Sequence, residues 1–206
     1  MGVWPLGGSG RRIGDHRERR QPPGLPTDMS DAALVALVLA GDLGAYAPLV
    51  SRHYPSCARY ARRVLGNAHD AEDVLQETFL LAYRGLERYR EQDRFRAWLF
   101  RILVNQCRSQ GRRRARQARR FLFDQQAQAA AVAEGSSTGE GLDDRLQTAL
   151  DTLDPLLREA LVLKYGEDLA YEDMARMTGA SISALKMRVK RARDSVRARL
   201  EELAHE

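Results

Sequence analysis

The sequence predicts an all-α protein built in two parts. Apolar residues recur at three- and four-residue spacing along most of the chain, and no stretch shows the period-two alternation of a half-buried strand. A polar stretch, Gly135-Ser136-Ser137-Thr138-Gly139-Glu140-Gly141, interrupts the helical pattern and reads as a flexible linker. Beyond it, residues 170–193 read as a helix, a glycine turn and a second, basic helix.

Residues 1–29 are rich in Gly, Pro and Arg and lack apolar periodicity, so they are expected to be a disordered leader, with Met29 as the biological start. Ser30 is positioned as an N-cap, and Leu34, Val35, Leu37 and Val38 give the first helix its apolar face before Gly41-Asp42 ends it. A second helix is expected from Ala45 to Leu65, with Tyr46, Leu49, Val50, Tyr54, Ala58, Ala61 and Val64 inward. Gly66-Asn67-Ala68 turns the chain into a third helix over Asp70–Leu86, and a fourth follows over Arg94–Gln110. After the linker, a helix over Leu142–Leu153 precedes Asp154-Pro155, a cap and first-turn proline that open a helix to Tyr165. In the helix-turn-helix, Ala175 allows close approach, Gly179 supplies the left-handed turn and Ser181 caps the second helix. Ile182, Leu185 and Val189 should pack inward. The expected domains are therefore 30–118, a linker over 119–141, and 142–206.

The charge is unevenly placed. The 206 residues carry a net charge of +5, with seven arginines and no acid between Arg108 and Arg120, and seven basic residues against one acid between Lys186 and Arg199. Such blocks favour a polyanionic partner. Two cysteines are too few for a disulfide framework, and no apolar run reaches the length of a membrane span, so no membrane insertion is expected. His53 and Cys57 stand four residues apart, but two ligands do not make a metal site, and no metal is expected. No phosphate-binding glycine loop and no nucleophile–base motif is present, so neither catalysis nor a cofactor is expected.

In the third helix, Ala71, Leu75, Thr78 and Ala82 form one stripe, while Asp73, Gln76, Phe79 and Tyr83 fall on another that mixes acid, amide and aromatics. That second stripe suits a docking surface. The fourth helix holds Phe95, Trp98, Phe100 and Arg101 close together, with Asn105 an amide among apolar residues. Aromatic faces can stack on splayed bases, and arginines along the same helix can hold the backbone. Arg112-Arg113-Arg114-Ala115-Arg116, with Arg119 and Arg120, suit salt-dependent phosphate contact. In the basic helix, Ser183, Ala184, Lys186, Met187, Lys190 and Arg191 would face a major groove, where Met187 offers only apolar contact, for example to a thymine methyl.

Three segments carry a family resemblance. Asp70-Ala71-Glu72-Asp73-Val74-Leu75-Gln76-Glu77-Thr78-Phe79 resembles the sigma-factor segment that docks on the clamp helices of RNA polymerase. Arg94-Phe95-Arg96-Ala97-Trp98-Leu99-Phe100-Arg101-Ile102-Leu103-Val104-Asn105 resembles the segment that melts and reads the minus-ten promoter element. Leu169-Ala170-Tyr171-Glu172-Asp173-Met174-Ala175 and the basic helix resemble the region that reads the minus-thirty-five element. Having only these two domains resembles the extracytoplasmic-function (ECF) group. The resemblance implies an all-α, non-enzymatic sigma factor that binds core polymerase through its clamp helices and flap, reads double- and single-stranded promoter DNA and starts strand opening. It implies an anti-sigma partner and a cytoplasmic location, nucleoid-associated when active.

By the same resemblance, Asp73, Gln76, Glu77, Phe79 and Tyr83 would meet polymerase. Arg94, Phe95, Trp98, Arg101, Asn105, Arg108, Arg112 and Arg113 would meet the minus-ten element, the loop Arg90-Glu91-Gln92-Asp93-Arg94 and Asn105 forming a pocket for a flipped base. Tyr171, Ser183, Ala184, Lys186, Met187, Arg188, Lys190, Arg191 and Arg193 would meet the minus-thirty-five element. Two other readings stay open: a DNA-binding regulator that does not dock on polymerase, and an RNA-binding adaptor that uses the arginine run. The exposed face over Asp73–Tyr83 discriminates, because only the sigma reading needs it.

Overall fold

The computed structural model describes residues 29–90, 94–125 and 142–204, all of them helix, turn or short connection. Residues 1–28 of the leader expected over 1–29, the loop residues 91–93 and the stretch 126–141 lie outside the described residues.

α1 (Asp31–Leu39) starts where Ser30 Oγ accepts the Ala33 N–H at 3.2 Å, and buries Leu34, Val35 and Val38. A short 3₁₀ turn (Leu43–Ala45) leads into α2 (Tyr46–Leu65), which ends at Gly66 with φ +65°, a left-handed conformation glycine adopts without strain. Asn67 caps α3 (Ala68–Gly85) through the Asp70 N–H at 3.0 Å. α2, α3 and α4 (Phe95–Gln125) pack as a bundle with α1 across one end. Tyr60 and Phe100 meet edge-on at its centre, both fully buried, with ring centroids 5.7 Å apart. All four positions of the first α3 stripe, Ala71, Leu75, Thr78 and Ala82, are buried.

α4 is longer than its apolar pattern predicts. The periodicity stops near Gln110, yet the helix continues to Gln125, so 119–125 are helical although they read as the start of the linker. Each residue added to an existing helix closes one more backbone hydrogen bond, and Arg, Gln and Ala are good helix formers, so no further apolar face is needed.

In the second unit, α5 (Leu142–Asp151) and α6 (Pro155–Leu161) lead to a π-helical turn at Val162–Gly166. Asp154 caps α6 through the Leu156 N–H at 2.8 Å. α7 (Tyr171–Thr178) ends at Gly179, φ +71°, and α8 (Ile182–Leu203) is capped by Ser181 through the Ala184 N–H at 3.2 Å. Met174, Leu185 and Ala192 are fully buried between the helices.

The sequence suggests two units joined only by a flexible linker, but here they pack directly together. α4 lies along α7, and α2 meets α5, α6 and the π turn. Apolar residues of both units share one core, and polar side chains reaching backbone carbonyls and buried carboxylates across the boundary add contacts that leave no periodic signature in a sequence.

Candidate nucleic-acid interface

On α3, Asp73, Gln76, Leu80 and Tyr83 are exposed along one side, with Glu72 and Glu77 beside them. Leu80 and Tyr83 remain 42% and 38% exposed, unusual for large apolar groups on a helix otherwise well packed. Phe79 is not part of this face. It is buried at 9% exposure, its ring stacked 6.1 Å from Tyr54, because it continues the inward stripe of Leu75 and Ala82. The apolar anchor beside Tyr83 is Leu80, which spacing from Gln76 and Tyr83 could have identified.

Trp98, Arg101, Ile102 and Asn105 of α4 line an open cleft of about 420 Å³ with Arg88, Tyr89 and Arg90. Asn105 and Arg101 are exposed, and Trp98 is half-buried. Gly85 makes this arrangement possible, since a Cβ there would lie 3.1 Å from Trp98 Cζ2. Phe95 is only 2% exposed, so it cannot stack on a base. It lies behind the cleft, with ring centroids 5.2 Å from His53, 5.6 Å from Trp98 and 5.8 Å from Tyr89, and so fixes the aromatic wall from within. Arg94 is exposed but lines a separate cleft with Arg96, Leu169, Asp173 and Arg176.

Arg108 is not free for DNA in this arrangement. Its Nε and Nη2 donate to the Glu159 carboxylate at 2.7 and 2.8 Å, and Nη1 donates to the Thr178 carbonyl at 3.1 Å. The hydrogen bonds it donates to Glu159 hold its pKa above the ordinary arginine value. Arg112 and Arg113 are exposed and open onto different grooves, Arg112 between the two units and Arg113 beside Asp73 and Glu77.

On α8, Ser183, Lys186, Met187, Lys190, Arg191 and Arg193 are exposed, and Met187 keeps 52% of its surface. Ala184 is half-buried. Arg188 is also half-buried and turns toward the groove shared with α4. Tyr171 lies under two ammonium groups, Lys164 at 5.3 Å and Lys186 at 5.7 Å from its ring. The ring thereby holds Lys186 at the start of the reading face.

His53 and Cys57 do not form a metal-binding pair. His53 Nε2 is 2.8 Å from Asp31 Oδ2, and burial pushes the Cys57 thiol up to about 12. No group of three His, Cys, Asp or Glu that could hold a metal occurs among the described residues, and no described helix is long and apolar enough to cross a membrane.

With this geometry in place, the similarities to known proteins fall on the same elements. The family model for sigma-70 region 2 matches residues 49–117, and the one for sigma-70 region 4 matches 143–196. The RNA polymerase sigma factor NccH of Alcaligenes xylosoxydans xylosoxydans is 35% identical over 185 residues, covering 85% of this chain and 97% of that protein. The ECF RNA polymerase sigma factor SigE of Mycolicibacterium smegmatis is 35% identical over 152 residues, 72% of this chain, which spans 59% of that relative's own length. Among solved structures, CnrH in complex with the cytosolic domain of CnrY has a TM-score of 0.62 at 30% identity, covering 84% of this chain and 97% of that one. The sigma factor RpoE in complex with the anti-sigma factor NepR from Bartonella quintana has a TM-score of 0.61 at 27% identity, covering 74% of this chain and 94% of that one.

Proposed function

Because the chain belongs to the sigma-70 family, in its extracytoplasmic-function group, we propose that it binds core RNA polymerase, reads a two-element promoter and starts strand opening there. The RNA-forming chemistry belongs to the polymerase, and the chain itself is not an enzyme. The observation that carries this reading is the cleft at Asn105, where an exposed amide, an aromatic wall and three arginines converge in the first third of α4. An extruded base can be read there by hydrogen bonds to its edge and held by stacking on Trp98. The exposed α3 face over Asp73–Tyr83 favours a polymerase-bound factor over a regulator acting alone. The relative solved with the anti-sigma factor NepR supports an anti-sigma partner for this chain as well, and a promoter-reading role would have it work in the cytoplasm at the nucleoid.

Asn105→Ala is expected to flatten discrimination among single-base variants of a short minus-ten single strand while leaving the salt slope of binding unchanged. Neutralising Arg112, Arg113 and Arg116 should do the reverse, lowering affinity and slope alike on every sequence. Equilibrium binding at two salt concentrations separates them, and undiminished discrimination by Asn105→Ala would move the base pocket elsewhere.

At the other element, Lys186→Ala should cost about 1–3 kcal/mol on duplex carrying the minus-thirty-five sequence and relax preference at one base position. Arg193→Ala, whose guanidinium lies 3.4 Å from Asp194, should weaken all duplexes only slightly. A uniform loss for Lys186→Ala would show that it holds phosphate rather than a base.

A further inference from the structure

We propose that Met187 is a peroxide-sensitive site on the reading helix, and that its oxidation to the sulfoxide erases a preference for thymine at one position of the minus-thirty-five element. The promoter half of this proposal rests on the function proposed above; the site of oxidation does not.

The described residues hold two cysteines and four methionines, and exposure sorts them. Cys57 and Cys107 are fully buried, and burial pushes the Cys57 thiol up to about 12 and raises the Cys107 thiol as well. Peroxide attacks the thiolate rather than the thiol, so neither cysteine is a ready target. Met174 and Met177 are buried inside the helix-turn-helix. Met29 is half-buried at the start of α1, its carbonyl accepting from Arg52 Nη2 at 2.7 Å. Met187 alone among the described sulfur residues is exposed, and it stands on the outer face of α8. The most accessible described sulfur therefore belongs to the surface that would meet the major groove.

Its surroundings give the oxidation a consequence. Residues three and four apart are neighbours on a helix surface, so Met187 is bordered by Ser183, Ala184, Lys190 and Arg191. From Lys186 to Arg193, α8 carries five basic residues and no acid. The thioether has no donor and is a weak acceptor, which suits an apolar group such as the thymine methyl. Hydrogen peroxide transfers one oxygen to the sulfur: the sulfur lone pair forms the S–O bond, the O–O bond breaks, and the second oxygen leaves as water. The product is polar and carries an acceptor oxygen. Against a methyl group that oxygen would lose water without gaining a donor, which is unfavourable. One turn along, Lys190 and Arg191 supply donors, so the oxygen draws onto the protein cations that otherwise face DNA. Both effects weaken reading at the same place.

The test uses the full-length chain. It is treated with hydrogen peroxide, freed of it with catalase and assembled with core polymerase. Peptide mass spectrometry reads each methionine, and Met187 should convert ahead of Met174 and Met177. The assembled enzyme is then offered a duplex pool randomised across both promoter elements, and the retained sequences are read. Untreated chain should enrich thymine at one minus-thirty-five position. Treated chain should lose that enrichment by roughly four- to tenfold, the worth of about one methyl contact, and keep its preferences elsewhere. Methionine sulfoxide reductases with a dithiol should restore it.

Two variants tie the effect to this sulfur. Met187→Leu, whatever bases it selects, should select the same ones before and after treatment. Met187→Gln, with a polar acceptor in place of sulfur, should select without peroxide what the treated parent selects. Met187 left reduced while Met174 or Met177 converts overturns the site. Full conversion with an unchanged thymine preference, or an equal loss in treated Met187→Leu, overturns its effect on reading. An untreated assembled chain that selects no sequence faults the proposed function, and with it the promoter half of the proposal, whereas the mass spectrum decides the site by itself.

Discussion

Leu80→Ala combined with Tyr83→Ala is expected to weaken binding to core RNA polymerase by roughly 100- to 1000-fold, taking about 1.5–2 kcal/mol for each truncated anchor. These two side chains are the large apolar groups that α3 leaves in solvent, bordered by Asp73, Gln76 and Glu77. An apolar centre with a polar rim is how a protein interface is built. Tyr83 is also held in place, its ring meeting Tyr46 edge-on at 5.2 Å, while the Tyr46 hydroxyl donates to the Phe79 carbonyl at 2.6 Å. Fluorescence titration against core enzyme, with circular dichroism as the check on folding, measures the effect. Phe79→Ala serves as the contrast. It should lower thermal stability and affect docking only through the unfolded fraction. Polymerase affinity unchanged in the Leu80/Tyr83 variant would place the docking surface elsewhere.

The largest effect on stability is expected from Phe100→Ala, at about 3–5 kcal/mol. Phe100 is fully buried, faces Tyr60 on one side and carries the Arg96 guanidinium 5.1 Å above its ring. Its removal leaves a cavity at the bundle centre and loosens the arginine that reaches Glu167. Urea denaturation should show both units losing cooperativity, because that arginine couples them. A loss below about 1 kcal/mol would mean that the bundle collapses around the vacancy. Arg101→Ala, one position on and exposed, should leave stability nearly unchanged.

The helices and most of their starts were legible in the sequence because their causes are local, whereas the far end of α4 and the π turn after α6 were not. Ser30, Asn67, Asp154 and Ser181 each accept the backbone N–H that a capping residue should, and Gly66 and Gly179 take the left-handed conformation the turns need. Within the site, the exposed residues of α8 followed from helical spacing, while Asn105 was assigned to a pocket with the preceding loop by family resemblance, and the structure sets it in one cleft with Trp98 and Arg101. Phe79 and Phe95 were misplaced for one reason: an aromatic residue next to an amphipathic boundary can turn to either side, and only the packing of Tyr54, Tyr89 and His53 decides which. Arg108 stands in an arginine-rich stretch and reads as a phosphate contact. Its partner Glu159 lies 51 residues away on another helix, and nothing at either position announces the pair. Arg88 and Tyr89 were missed because they precede the motif whose cleft they complete.

The arginines that follow Asn105 occupy a helix rather than a loop, and this fixes what they are able to sense. Successive residues of an α-helix are turned by about 100°. Arg112, Arg113 and Arg114 accordingly emerge on different sides: the first toward the second unit, the next beside Gln106 and Gln110, the third onto the Leu65 carbonyl and Asp70. Positive charge is therefore spread over several sides of the helix rather than gathered on one, and Arg114 commits its share to Asp70. Under the function proposed above, a run so arranged would hold a strand without fixing which way it faces, and orientation along the DNA would have to be set by the cleft before it and the reading helix beyond.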